Sequence, residues 1–196
     1  MPRPSLANDK RRELIPVIAR AFADLWYRRT TTAELAKRCK VQENILYRLW
    51  PDKKAMFIAT ISYVYELAER TWAGLLDRDG SGSSAERVLD YESRHLGEFG
   101  HSRIIFAGLS ETDDPEVRRA LARMYQRYQR FVVEQVASHR DGRSHGKEAD
   151  RALTAWALIG LGTVASIALE MKLLGSRDRR RLMKEMGRLL LDGRVS

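Results

Sequence analysis

The sequence contains very little cysteine, which excludes disulfides as a means of stabilising the fold. Cys39 is the only cysteine among the 196 residues, so no disulfide can form within the chain. This composition fits a reducing compartment, and residues 1–13 lack the apolar core of a secretory signal, so a cytoplasmic location is expected. Cys39 itself has two interpretations, a packed thiol or a redox sensor, and we favour the packed thiol.

The sequence also lacks the motifs that mark enzymes. It has no Gly-rich phosphate loop, no nucleophile elbow and no HExxH motif. The four histidines, at positions 95, 101, 139 and 145, do not pair with Cys39 or with each other at a metal-ligand spacing. We therefore expect no catalysis, no metal and no other cofactor.

No stretch alternates apolar and polar residues as a β-strand does, and about nine segments instead repeat apolar residues at helical spacing. An all-α fold of about nine helices is the prediction. Residues 152–169 form an uncharged run near the lower length limit of a membrane span. Its mixture of small and large side chains indicates a helix buried on most sides, in its own subunit and against a partner copy. No membrane partner is expected.

The chain is basic, and its excess charge is concentrated near the N-terminus. Residues 1–56 contain 13 Lys or Arg and 6 Asp or Glu, a net charge of +7. Residues 57–196 contain 22 and 20, a net charge of +2. A basic segment is what attraction to nucleic-acid phosphates requires. The predicted domain boundary therefore separates residues 1–56 from residues 57–196.

Residues 30–56 predict two short helices joined by a tight turn, followed by the start of a long helix. Thr31 is placed to cap the first short helix, with Glu34 at the spacing of a capping box. Pro51 ends the second, because the residue before a proline is pushed out of the helical region. Two short helices joined in this way form a helix-turn-helix, whose second helix enters the major groove of DNA. Upstream, Pro16 is expected to kink the preceding helix or to mark its start.

At these residues the sequence resembles the DNA-binding domain of the TetR family of transcriptional regulators. The matching residues, in order and at the spacings of the family, are Thr30-Thr31, Leu35-Ala36, Val41, Leu46-Tyr47, Trp50 and Lys53. The resemblance covers about the first third of the chain. It implies a three-helix DNA-binding domain joined to a C-terminal helical ligand-binding and dimerisation bundle. It also implies a homodimeric repressor that binds a palindromic operator in double-stranded DNA and is released by a small-molecule effector of unknown identity.

Three positions depart from the family pattern. Lys40 stands at the turn position usually held by Gly, so it must adopt a left-handed or otherwise unfavourable backbone conformation. Ile45 replaces a residue that is commonly small and hydroxylated, and Leu49 replaces a His or an aromatic residue.

The early residues of a recognition helix reach base edges, and here they are Gln42, Glu43 and Asn44. Gln42 has the alternative role of a helix cap. Arg48 lies one turn further on and suits guanine or phosphate. Tyr47 takes a position that contacts phosphate in the family, although a half-buried packing role is an equal alternative. The complete set of predicted DNA-binding residues is Thr31, Gln42, Glu43, Asn44, Tyr47, Arg48 and Lys53.

Beyond residue 57 the sequence is less informative. An aromatic ligand pocket between helices is one interpretation of a set of side chains that plain core packing explains equally well. That set is Tyr91, His95, Phe99, Phe106, Tyr125, Tyr128 and Trp156.

A homodimer interface is predicted on the helices over about 152–169 and 177–191. The residues expected to form it are Gly160, Thr163, Ser166, Leu182, Met186 and Leu189. A second function class also fits the sequence, namely a ligand-independent helix-turn-helix DNA-binding protein with a role in the nucleoid or in cell division.

Overall fold

The computed structural model describes residues 6–77, 82–140 and 148–193. Within these ranges the chain forms nine α-helices, one short 3-10 helix at Glu98–Gly100 and no strand, which confirms the predicted all-α fold. The α-helices are α1 Leu6–Arg29, α2 Thr32–Cys39, α3 Glu43–Leu49, α4 Lys53–Leu76, α5 Ser84–His95, α6 His101–Leu109, α7 Pro115–Arg140, α8 Glu148–Glu170 and α9 Ser176–Asp192.

The helices form two compact units. Unit 1 comprises Met1–Leu67 and Phe99–Met124, and unit 2 comprises Ala68–Glu98 and Tyr125–Ser196. The division falls inside α4 and α7, so each of these helices contributes residues to both units. The assignment of a DNA-binding role to residues 1–56, and of ligand binding and dimerisation to residues 57–196, stays a prediction.

The core of unit 1 is built around one apolar face of α1. Ile18 and Phe22 lie one turn apart on that face and are fully buried. Phe22 meets Phe57 of α4 edge to face, with ring centroids 5.1 Å apart. Leu35 of α2 and Leu46 of α3 are also fully buried. Burying each of these side chains contributes about 1.5–3 kcal/mol to folding, so the core holds the two short helices on α1.

The break in α1 lies at Trp26 and not at Pro16. The helix begins at Leu6, well before Pro16, and its one residue with non-helical dihedral angles is Trp26, at φ 66° and ψ 158°. Thr30 closes the bend, because its backbone N–H and its hydroxyl both donate to the Trp26 carbonyl oxygen, at 3.1 and 2.7 Å. The expectation of a helix start at Pro16 was wrong.

His139 links three helices of unit 2. Its Nδ1 lies 2.6 Å from the hydroxyl oxygen of Ser83, the N-cap residue of α5, and its Nε2 lies 3.0 Å from Oδ1 of Asp192 at the end of α9. The Ser83 oxygen also accepts a hydrogen bond from the Glu86 N–H at 3.2 Å. An ionised carboxylate only accepts, so Nε2 of His139 donates to Asp192 Oδ1. The chain of bonds thus joins the start of α5 to the ends of α7 and α9.

The apolar helix α8 is only partly covered by its own chain. Its segment Arg151–Glu170 is long and apolar enough to cross a membrane, with a mean hydropathy of 1.9, and 22% of that window is buried. The expectation of burial on most sides is therefore not met within a single chain. The exposed side chains on this helix are Leu153, Trp156, Ala157, Val164 and Ile167.

Candidate nucleic-acid interface

The first short helix, α2, begins at a side-chain cap. The Thr31 hydroxyl oxygen accepts a hydrogen bond from the Glu34 N–H at 3.2 Å, as the sequence predicts. The reciprocal half of the expected capping box is absent. The Glu34 carboxylate instead accepts from Arg38 Nε at 2.9 Å, and Arg38 also donates to Asp24 Oδ2 of α1 at 2.8 Å. Glu34 therefore helps to fix α2 against α1.

The turn between the two short helices has the geometry that its sequence requires. Lys40 adopts the left-handed conformation, with φ 55° and ψ 41°, which confirms the expectation for this position. Its N–H donates to the Lys37 carbonyl oxygen at 3.1 Å, and the Val41 N–H donates to the Ala36 carbonyl oxygen at 3.0 Å. These two bonds form a Schellman motif, which satisfies carbonyl groups at the end of α2.

The second short helix, α3, buries one side and exposes the other. Leu46, Leu49 and Trp50 are buried. Gln42 occupies the N-cap position at φ −77° and ψ 151°, but its side chain makes no capping hydrogen bond, so it caps α3 only through its backbone position. The exposed polar side chains at the start and middle of this segment are Gln42, Glu43, Asn44, Tyr47 and Arg48. A short helix with one face anchored and amide, carboxylate and guanidinium groups outward is able to present these groups to base edges.

Tyr47 is exposed over 47% of its surface, so the phosphate contact and the half-buried packing role both stay predictions. Its hydroxyl donates to Thr32 Oγ1 at 3.1 Å. Thr32 is the first residue of α2 and follows the cap residue Thr31. Tyr47 and Thr31 therefore lie together at the N-terminal end of α2, where backbone N–H groups and the helix dipole favour an anion.

Two basic side chains of this region bind backbone carbonyl groups. Arg11 of α1 donates from Nε and Nη2 to the Leu49 carbonyl oxygen at the end of α3, at 2.9 and 2.7 Å. Lys53 donates to the carbonyl oxygens of Tyr27 and Thr30, both at 3.1 Å, and its ammonium lies 4.4 Å from the centre of the Tyr27 ring. Sequence reasoning missed both roles, because no local pattern pairs Arg11 with a carbonyl 38 residues away.

The side chains of five other basic residues of unit 1 do not bind backbone carbonyl groups within the described part of the chain. Arg12, Arg29, Lys37, Lys40 and Arg48 are exposed, and none of them forms an ion pair with a described acidic side chain. The predicted basic character of this part of the chain is thus available at the surface to attract phosphates.

Comparison with known proteins agrees with this geometry. Residues 15–60, which contain α2, α3 and every predicted DNA-binding residue, match the sequence model of a family described as bacterial regulatory proteins, tetR family. This segment of the chain therefore carries a match to the DNA-binding region of the TetR family.

The chain is also similar to a curated protein described as a transcriptional regulator. The chain is 24% identical over 148 residues to the uncharacterized HTH-type transcriptional regulator YuxN of Bacillus subtilis (strain 168). The match covers 73% of this chain and 48% of YuxN, so the chain spans about half the length of this relative.

Solved structures share the fold of this chain. A TetR-family regulator from Cytophaga hutchinsonii superimposes with a TM-score of 0.79 and 15% identity, covering 98% of both chains. A transcriptional regulator from Saccharomonospora viridis, solved in complex with choline, superimposes with a TM-score of 0.76 and 14% identity, covering 91% of this chain and 95% of that one. At these identities the likeness establishes the fold, a helix-turn-helix region followed by a helical C-terminal region.

The predicted ligand-binding residues are divided between the two units. Phe106 belongs to unit 1, and the side chain of Phe99 lies outside the described part of the structure. The remaining five, which all belong to unit 2, are Tyr91, His95, Tyr125, Tyr128 and Trp156. Tyr91 and His95 stack with ring centroids 4.0 Å apart. Trp156 lies on the exposed side of α8, 6.4 Å from the Tyr125 ring.

Sequence reasoning missed the aromatic residue at the centre of this unit. The Trp72 ring of α4 stacks on Tyr128 and on Phe131 of α7, with centroid distances of 4.9 and 4.6 Å. Its indole N–H donates to Oε1 of Glu92 in α5 at 2.7 Å. The sequence does not show which helices pack against Trp72.

The residues predicted for a dimer interface differ in exposure. Met186 and Leu189 of α9 are 39% and 44% exposed. Gly160 is half-buried, and a Cβ added to it would meet nothing within 4 Å. Ser166 is buried in its own chain, and the Thr163 hydroxyl donates to the Ile159 carbonyl oxygen at 3.0 Å. Leu182 is half-buried.

Proposed function

We propose that this protein is a homodimeric transcriptional repressor of the TetR family that binds a palindromic operator and leaves it when a small molecule binds. The proposal rests on the two sides of α3. One side is buried within unit 1, while Gln42, Glu43, Asn44 and Arg48 on the other side face outward. Amide side chains suit adenine, a carboxylate suits cytosine, and a guanidinium suits guanine or phosphate.

Phosphate contacts are proposed at the edges of α3. Thr31 and Tyr47 lie at the N-terminal end of α2, which favours an anion. Lys53 uses two of its three ammonium donors on the carbonyl groups of Tyr27 and Thr30, so one donor remains for a phosphate. Phosphate contacts of this kind set the position of the protein on the duplex, while the α3 side chains select the sequence.

Dimerisation is proposed through α8 and α9. Leu153, Ala157, Gly160, Val164 and Ile167 follow one another at alternating spacings of four and three residues, the pattern of a helix-helix seam. The space above Gly160 permits a close approach of a second helix. In a two-fold symmetric dimer, the same face of a second chain would cover this face. The two recognition helices would then lie about 34–36 Å apart on DNA.

A small-molecule effector is proposed for unit 2. The Saccharomonospora viridis regulator of the same fold was solved with choline. In this chain, unit 2 carries the aromatic side chains Trp72, Tyr91, Tyr128 and Phe131 on three helices that meet one another. Helical bundles build binding pockets from such facing side chains.

The proposal is tested by selecting operator sequences from random duplexes with the full chain. We expect one enriched palindrome, with half-sites spaced by about one helical turn. Asn44→Ala should change the preferred base at one position of each half-site, whereas Arg12→Ala should weaken binding to all sequences and reduce its salt dependence. No enriched sequence, or many unrelated sites of equal affinity, would contradict a repressor and favour a ligand-independent architectural role.

A further inference from the structure

Glu92 differs from the other acidic residues of its helix. Glu86 caps α5 through its bond to the Ser83 N–H at 2.8 Å, and Asp90 forms ion pairs with Arg94 and Lys184. Glu92 forms no ion pair with any described residue, and its one hydrogen bond within that part of the chain comes from the Trp72 indole. Within the described residues, only this hydrogen bond and the nearby His95 favour the charged form of the carboxylate.

The surroundings of Glu92 oppose an unbalanced charge. Burial raises the pKa of its carboxyl group, and the hydrogen bond from Trp72 offsets this only in part. The residue nevertheless retains some accessible surface, since it is half-buried. The electrostatic attraction between a carboxylate and a bound cation is stronger when the carboxylate is desolvated yet reachable than when it is fully hydrated at the surface.

The side chains near Glu92 present aromatic faces. Trp72, which donates to Glu92, is stacked on Tyr128 and Phe131, and Tyr91 is stacked on His95 one turn along α5. Tyr91, His95 and Tyr128 are half-buried, so they too keep accessible surface. Aromatic faces attract cations through the ring quadrupole and also accept apolar groups. A ligand with both a positive charge and a hydrocarbon part matches this combination of groups.

We propose that unit 2 binds an organic ammonium ion, with the nitrogen beside the Glu92 carboxylate and the hydrocarbon part against the rings of Tyr91, His95 and Tyr128. This inference rests on the proposed effector role of unit 2 and names the chemical class of the effector. An anionic ligand would be repelled by Glu92, and a neutral ligand would leave its charge unbalanced.

His95 lies one turn along α5 from Glu92 and acts on its charge. A protonated imidazole would supply some of the positive charge that the ligand is proposed to bring. The test is therefore run at about pH 8, where an ordinary histidine is neutral and an alkylammonium ion is still protonated.

The experiment is a calorimetric titration of the full chain with two compounds of the same carbon skeleton, 3,3-dimethylbutylamine and 3,3-dimethylbutan-1-ol. We expect the ammonium compound to bind the wild-type chain at least tenfold more tightly than the alcohol. Glu92→Gln, which keeps an acceptor for the Trp72 N–H, should remove this preference. Asp90→Asn, on the same helix and with the same change of charge, should keep it.

Three results would overturn the inference: no binding of the ammonium compound to the wild-type chain, equal binding of amine and alcohol, or an unchanged preference in Glu92→Gln. Thermal melts of both variants verify that they are folded under the conditions of the titration. The titration contains no DNA, so its outcome is independent of whether an operator is found. Failure here with a confirmed operator would refute the ammonium ligand and leave the repressor proposal standing.

Discussion

The guanidinium of Arg11 donates two hydrogen bonds to the backbone carbonyl oxygen of Leu49, at 2.9 Å from Nε and 2.7 Å from Nη2. Leu49 is the last residue of α3, where carbonyl groups have no partner within the helix. A positive group at this end of a helix also interacts favourably with its dipole. Arg11 therefore fixes the C-terminal end of the proposed recognition helix to α1.

Arg11→Ala should lower the free energy of unfolding by about 1–2 kcal/mol, because a partly buried, charge-assisted hydrogen-bond pair is lost. Arg12→Ala removes the same charge from the next residue, which is exposed and forms no ion pair with a described residue, so stability should be unchanged. Urea denaturation of both variants measures the difference. Equal stability of the two variants would show that Arg11 does not support α3.

In this region, the features that could be predicted from the sequence are those that depend only on residues close together in the chain. The Thr31 cap, the turn at Lys40 and the buried side of α3 all depend on neighbours within a few positions. Arg11 and Lys53 instead bind carbonyl groups 38 and 23 to 26 residues away. Such partners are set by how α1 and α4 pack, and no spacing in the sequence specifies that packing. Lys53 was predicted from the family pattern as a phosphate contact, and its capping role was not foreseen.

Lys40→Gly should stabilise the chain by about 1 kcal/mol, because a left-handed conformation strains a residue with a Cβ and does not strain glycine. Lys37→Gly is the matched control, since Lys37 lies in the last turn of α2 and the substitution removes the same charge. There glycine should destabilise by about 1 kcal/mol, because Lys37 has helical backbone angles. Thermal melts that shift in the same direction for both variants would contradict this account.

In unit 2, too, contacts between residues far apart in the sequence could not be predicted. The helical segments were predictable from apolar spacing, and the nine-helix layout is confirmed in the part of the chain that the structure describes. The partners of Trp72 were not predictable, because Glu92, Tyr128 and Phe131 come from two other helices. Glu92 in particular was one of 26 acidic residues in the sequence, and only its burial distinguishes it.

The raised pKa of Glu92 predicts a pH-dependent effect on stability. Burial raises this pKa above the ordinary value of 4.5, so the folded state holds the proton more tightly than the unfolded state does. As pH rises through the pKa of Glu92 in the folded state, its ionisation progressively destabilises the fold. Below the pKa of Glu92 in the unfolded state, this destabilisation vanishes. Glu92→Gln should therefore melt at a higher temperature than the wild-type chain at pH 7 to 8, with the difference disappearing near pH 4.

Asp90→Asn is a control for which the expected change in melting temperature has the opposite sign. Burial opposes the ionisation of Asp90, but Lys184 and Arg94 outweigh burial and lower its pKa. Its carboxylate thus stabilises the fold above the unfolded pKa, and that contribution is lost as pH falls. The variant should melt below the wild-type chain at neutral pH. A Glu92→Gln variant that also melts lower at pH 7 to 8 would show that the Glu92 charge is balanced in the folded state.

The exposed seam of α8 gives the sharpest test of the proposed dimer. Val164 is a seam residue that is 56% exposed in the single chain, so Val164→Glu should leave the fold of each chain intact. Thr163→Glu is a less direct test, because the Thr163 hydroxyl bonds within its own helix. In a dimer closed over α8, a carboxylate at position 164 would be desolvated without a partner, which should weaken association by at least about 2 kcal/mol, roughly 30-fold.

Gln126→Glu introduces the same charge at an exposed position on a different helix, α7, and should have no effect on association. Sedimentation at micromolar concentration measures the state of all three proteins, and operator titration measures the consequence. Because two recognition helices bind one palindrome only when they are joined, Val164→Glu should lose tight operator binding while keeping weak binding to any duplex. The dimer through α8 is refuted if the wild-type chain sediments as a monomer, or if Val164→Glu stays dimeric and binds the operator as tightly as Gln126→Glu.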